Sequence, residues 1–112
     1  YDLEVINMEF CEAVENSEPV GVATSFPDTI DSIFCHTVIE GARDSLTISH
    51  VWYHEDEEMA EVELMVGASP WRTWSSKEIM AAWTGNWRVE VISPDGEILK
   101  SREFTIESTM EY

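Results

Sequence analysis

Two stretches of two-residue alternation, separated by four acids, constrain this chain more than any other feature. From Leu46 to His54 one face carries Leu46, Ile48, His50, Trp52 and His54, and the other carries Thr47, Ser49, Val51 and Tyr53. From Met59 to Val66 the residues Ala60, Val62, Leu64 and Val66 alternate with Met59, Glu61, Glu63 and Met65. A period of two fits a half-buried strand, because successive side chains of extended backbone point to opposite sides. The first set of each pair is the core face, and Glu55-Asp56-Glu57-Glu58 is read as the charged hairpin loop between them.

The same reading extends along the chain. Leu3 to Phe10 is a first strand whose phase slips at Val5-Ile6, which predicts a bulge or a change of face. Glu12 to Val20 is polar and is expected to be a loop, Gly21 to Phe26 a short strand, and Pro27-Asp28 a turn. Asp31 to Ile39 is a strand followed by a turn at Glu40-Gly41-Ala42-Arg43-Asp44. Ser76 to Trp83 is the only helix-compatible run, short enough that a single helical turn and extended structure are both open. Trp87, Val89 and Val91 alternate in another strand, Ser93-Pro94-Asp95-Gly96 is a hairpin turn, and Glu97 to Ile106 returns with a bulge expected between Leu99 and Phe104. Short strands at regular spacing with no helix of consequence predict an all-β, immunoglobulin-like antiparallel β-sandwich, with a small β-barrel as the alternative. One domain over residues 1–112 is expected, with 107–112 as a C-terminal tail, since 112 residues supply a single core.

The charge balance narrows the partners. With 23 acids against 6 bases the formal charge is −17, and no Lys or Arg precedes Arg43. Such a chain repels polyanions, so nucleic acid is excluded as an expected partner. No apolar run reaches the length of a membrane span, so direct membrane insertion is not expected, and no signal peptide is visible. Because it opens at Tyr1 rather than Met, the chain is read as a processed product or as part of something longer. An even count of cysteines in a small acidic domain fits an oxidising compartment. A Cys11–Cys35 disulfide is therefore expected, worth ~3.5 kcal/mol in the chain-entropy model; two reduced core cysteines are the alternative.

Recognition chemistry concentrates in Trp71-Arg72-Thr73-Trp74-Ser75-Ser76-Lys77. If the segment is extended, Trp71, Thr73 and Ser75 share one face and Arg72, Trp74 and Ser76 the other. Arg72 then clamps a carboxylate, Trp74 stacks on a sugar ring or a peptide, and Ser76 and Lys77 complete the polar contacts, with Tyr53 and Trp83 as aromatic neighbours. A purely structural alternative stands beside this: Trp71 fills the core, Arg72 pairs with a nearby acid, and Ser75-Ser76 caps a helical turn near Glu78.

The remaining chemistry is sparse. His36, His50 and His54 are three imidazoles, but spacing of two on a strand splays side chains and no fourth ligand is indicated, so His50 reads as a structural histidine beside Trp52 rather than a zinc ligand. Glu55, Asp56, Glu57 and Glu58 are weak calcium candidates that lack the Gly and Asn positions of a dedicated loop. No nucleophile elbow, paired-cysteine motif or phosphate loop is present, and no cofactor is expected.

Several strings together resemble a known family: Phe34-Cys35-His36-Thr37, Ile48-Ser49-His50-Val51-Trp52-Tyr53, the Trp71 to Lys77 segment, Gly85-Asn86-Trp87-Arg88-Val89, Asp95-Gly96 and Phe104, with Cys11 and Glu18-Pro19-Val20-Gly21. The chain is similar, over nearly its whole length, to a bacterial family catalogued as domain of unknown function 2914. The resemblance implies one complete domain, found near a membrane or exported, with no assigned reaction and no catalytic residues to transfer. The expectation is a non-catalytic binding module, periplasmic or extracellular, that recognises a protein or a glycan through Arg72, Trp74, Ser76, Lys77, Tyr53 and Trp83. The second expectation is a structural subunit of a surface filament, self-assembling through the strand Leu3 to Phe10.

Overall fold

A computed structural model describes residues 2–109. The described residues form ten strands and no helix: β1 (Glu4–Cys11), β2 (Ala13–Glu15), β3 (Glu18–Val20), β4 (Ser25–Pro27), β5 (Ser32–Glu40), β6 (Leu46–His54), β7 (Glu57–Val66), β8 (Trp71–Glu78), β9 (Gly85–Ile92) and β10 (Ile98–Glu107). They make a three-stranded sheet in the order β1-β5-β8 and a five-stranded sheet in the order β4-β10-β9-β6-β7. All pairings in these sheets are antiparallel except β4 with β10, which is parallel. Neither sheet closes on itself, so the protein is a sandwich and not a barrel. The first, second and fifth long strands (β1, β5, β8) lie in one sheet and the third, fourth, sixth and seventh (β6, β7, β9, β10) in the other, the connectivity of an immunoglobulin-like sandwich.

Core residues follow from the alternation. Phe104 on β10 is the centre of an aromatic cluster, with ring centroids 4.5 Å from Phe10, 5.8 Å from Trp87, and 6.1 Å from both Phe26 and Trp52. Trp52 is completely buried on β6, where this type of sandwich keeps a core tryptophan. The inner-facing residues Ala60, Val62 and Leu64 of β7 are only half-buried because β7 is an edge strand.

Local departures from expectation have local causes. Glu12 to Val20 is not a plain loop: β2 and β3 form a small hairpin closed by Asn16 and Ser17, both at positive φ (50° and 64°), the geometry of a tight two-residue turn. Glu55 and Asp56 close the β6–β7 hairpin in the same way (φ 49° and 67°), so the loop shrinks to two residues and Glu57 and Glu58 join β7. Ser76 to Glu78 stays extended because β8 pairs with β5 to its end (Ser32 opposite Glu78), so the helical turn capped by Ser75-Ser76 does not form. The bulge in β1 falls at Val5/Asn7, as the phase slip predicted, while that of β10 lies at Ile98/Lys100, at the start of the expected Leu99–Phe104 interval. Of the tail, Glu107 ends β10, Thr109 donates from both N–H and hydroxyl to the Asp28 carboxylate, and residues 110–112 lie outside the described residues.

The disulfide expectation is corrected. Cys11 and Cys35 are both free and buried. In the β1–β5 register Phe10 stands opposite Cys35 and Cys11 opposite Phe34. Neighbours along a strand point to opposite faces, so Cys35 enters the core beside Phe10 while Cys11 points to the outside of the sheet, where the β2–β3 hairpin covers it. Side chains directed to opposite faces cannot be bridged without moving the backbone. Burial pushes both thiols up, which leaves them protonated and unreactive. As free buried thiols they say nothing about compartment.

Candidate functional site

Strand β8 divides the Trp71 to Lys77 segment between two environments. Its pairing with β5 puts Trp74 opposite His36, Arg72 opposite Val38 and Ser76 opposite Phe34 on the outer face of the three-stranded sheet. Arg72, Trp74 and Ser76 are exposed, and Trp74, at 36% exposure, is the most open of the five tryptophans. Its ring lies parallel to that of His36, 6° between planes and 6.0 Å between centroids. His36 is buried and donates from Nε2 to the Ser17 carbonyl at 2.7 Å, which fixes the β2–β3 turn over the sheet. His36 Nδ1 is buried without a hydrogen-bond partner among the described residues.

The hairpin completes this face. Glu18 at the start of β3 forms an ion pair with Arg72, Oε1 2.7 Å from Nε, both side chains about half exposed (59% and 48%). Ser17, Trp71, Arg72 and Trp74 line a shallow hollow of about 360 Å³. The outer set therefore has a stacking ring held by a buried imidazole, and beside it a guanidinium and a carboxylate that present donors and acceptors together. Ser17, Glu18 and His36 were not among the expected site residues. The sequence signal was there in part: Asn16-Ser17 between Val14 and Pro19 is turn chemistry in a stretch read as featureless loop.

Three expected members lie elsewhere. Lys77 pairs with Ile33 on the inner side of the strand, and its ammonium sits 5.0 Å over the Trp83 ring, a cation–π contact at the end of the sandwich. Lys77 and Trp83 thus meet each other but not Trp74. Tyr53 lies on the outer face of the opposite sheet, where Arg88 stacks 4.2 Å over its ring and pairs with Asp56 at 2.7 Å and Glu90 at 3.3 Å. Partial burial and then Glu90 raise the Tyr53 phenol; the hydrogen bond that Arg88 donates to Asp56 first of all raises Arg88. Two of the four calcium candidates are committed to protein contacts: Glu55 Oε1 accepts from the Asn86 N–H at 3.0 Å and Asp56 holds Arg88. No group of three or more His, Cys, Asp or Glu is arranged to hold a metal ion among the described residues. The imidazoles are dispersed, with His36 outside the three-stranded sheet, His50 in the core, and His54 donating to the Thr84 carbonyl at 2.8 Å while stacked on Trp87.

The inner face of β8 builds a buried polar relay between the sheets. Trp52 Nε1 donates to Ser75 Oγ at 3.1 Å, and Thr37 Oγ1 donates to the Thr73 carbonyl at 3.2 Å. His50 lies between them, with Nδ1 2.7 Å from Ser75 Oγ and Nε2 3.2 Å from Thr37 Oγ1. The Thr37 hydroxyl proton is committed to Thr73, so His50 Nε2–H donates to Thr37. In a neutral ring Nδ1 then accepts from the Ser75 hydroxyl, and the hydroxyls and both ring nitrogens are satisfied. Burial lowers the His50 pKa to about 4, with His36 adding a smaller push in the same direction, so the neutral form is the one present at pH 7. A serine and a histidine in hydrogen-bond contact are the start of a nucleophile–base pair. Here Ser75 and His50 are sealed (4% and 0% exposed), and the serine oxygen already accepts from Trp52. The contact ties His50 of β6 to Ser75 of β8 across the core.

No helix of the described residues is long and apolar enough to cross a membrane. A family model described as a protein of unknown function, DUF2914, matches residues 45–106, more than half of the chain. No curated protein matches the chain.

Proposed function

The chain belongs to the family of unknown function DUF2914, and from that premise we propose that it is a non-catalytic binding module, exported to the periplasm or cell surface, that recognises a protein or a glycan. The contact surface is the outer face of the β1-β5-β8 sheet at Trp74, Arg72 and Ser76, extended by Glu18 of the β2–β3 hairpin. One observation carries the reading: Trp74 is exposed on a sheet face, held parallel to a buried histidine, and flanked by a half-exposed Arg72–Glu18 pair. A large aromatic ring left in water next to a guanidinium is the composition of an interaction surface, not of a solvated one. The sealed Ser75–His50 contact favours binding over chemistry. Lys77, Trp83 and Tyr53 belong to other surfaces and are left out of the contact.

The test is capture by the immobilised chain from an envelope fraction, run beside a Trp74→Ala/Arg72→Ala double variant. The proposal expects a protein or glycan retained by the native chain and lost by the variant, with equal melting temperatures. Equal capture by both would sink it. The filament reading requires β1 to leave its own sheet, where it pairs with β5 along its whole length and buries Phe10 completely. Light scattering that found long species, shortened by deletion of Leu3 to Phe10, would revive it.

A further inference from the structure

Resting on the binding-module reading, the geometry points to the occupant of this face: we infer that the Trp74 surface takes an uncharged glycan. The size of the face argues first. The hollow beside Trp74, about 360 Å³ and lined by Ser17, Trp71, Arg72 and Trp74, has the dimensions of a small-ligand site.

The chemistry argues second. The exposed part of the Trp74 ring is a flat apolar platform, held in orientation by His36, that suits the C–H face of a pyranose. Beside it, Arg72 supplies N–H donors and Glu18 carboxylate acceptors, the combination that hydrogen-bonds neighbouring sugar hydroxyls.

Charge argues third. Arg72 is already neutralised by Glu18 at 2.7 Å, and a chain of formal charge −17 repels a polyanionic glycan. An uncharged sugar meets no such barrier and leaves the ion pair in place.

The whole chain is titrated calorimetrically with cellohexaose, xylohexaose, chitohexaose and hexagalacturonate at low and high salt. The expected result is binding of at least one of the three uncharged hexasaccharides with an affinity that salt does not change. Trp74→Ala weakens it at least ~tenfold, Trp74→Phe restores part of the loss, and the melting temperature of each variant stays close to native. Preferential, salt-sensitive binding of hexagalacturonate would overturn the inference while leaving the binding module intact. Binding of no uncharged hexasaccharide, with a Trp74-dependent protein partner instead, would do the same. Failure of the four sugars together with no Trp74-dependent partner of any kind would overturn both readings.

Discussion

The two faces of β8 carry nearly the same residue types and do opposite things. On the inner face Trp71, Thr73 and Ser75 turn to the core, where the Ser75 hydroxyl ties His50 and Trp52 of the other sheet to this one. On the outer face Arg72, Trp74 and Ser76 meet water and the β2–β3 hairpin. The difference teaches that a polar side chain takes its role from the side of the sheet it enters. Inside, a hydroxyl holds two partners that have no water to fall back on, so its removal is expensive. Outside, a similar group competes with water and contributes little to stability.

The comparison breaks most visibly at Ser75. Ser75→Ala leaves the Trp52 N–H and His50 Nδ1 unpaired in the core, and a loss of about 2–4 kcal/mol is expected in denaturant unfolding. A loss under about 0.5 kcal/mol would mean that the relay is not a brace.

Acid should act on the inner face next. The His50 pKa is lowered from 6.5 to about 4 in the folded state, so the unfolded chain binds the proton more readily. Stability is therefore full above pH 6.5 and falls as the pH drops toward 4, by about 2 kcal/mol between pH 7.5 and pH 5 from this group. Melting curves of the native chain and His50→Gln across that window isolate the effect. Parallel pH profiles would show that His50 is not its source.

On the outer face the effects shrink. Trp74→Ala should cost under about 1 kcal/mol and Arg72→Ala under about 0.5 kcal/mol, because the latter breaks only an exposed ion pair. Unfolding of either variant at room temperature would place Trp74 in the core rather than on a binding surface. The smallest expected effect is zero: since Cys11 and Cys35 enter opposite sides of their sheet, reductant should leave the melting temperature unchanged. Alkylation should find both thiols only after unfolding. A mass lower by two hydrogens before reduction would contradict the β1–β5 register.

How far the sequence carries can be judged at particular residues. Alternation alone separated Arg72, Trp74 and Ser76 from Trp71, Thr73 and Ser75, located β6 to the residue, and marked the slip at Val5-Ile6. The same parity puts Lys77 with Ser75 and away from Trp74, because proximity in sequence does not make a shared face. Glu18 and His36 joined the site through a hairpin and a neighbouring strand, at separations that no local pattern encodes. The cysteines show the same division. Cys35 falls inside an expected strand and Cys11 one residue beyond another, but which face each enters depends on the β1–β5 register.

The sequence by itself determined the all-β class, the principal strands and the two faces of each, because backbone geometry forces successive side chains to opposite sides wherever the chain is extended. Only the tertiary structure decided which face met which: His50 against Ser75, Trp74 against His36, Arg72 against Glu18, and Cys11 away from Cys35. Those contacts depend on strand order and register, set by packing the two sheets around Phe104, and this is a property of the whole chain rather than of any segment of it.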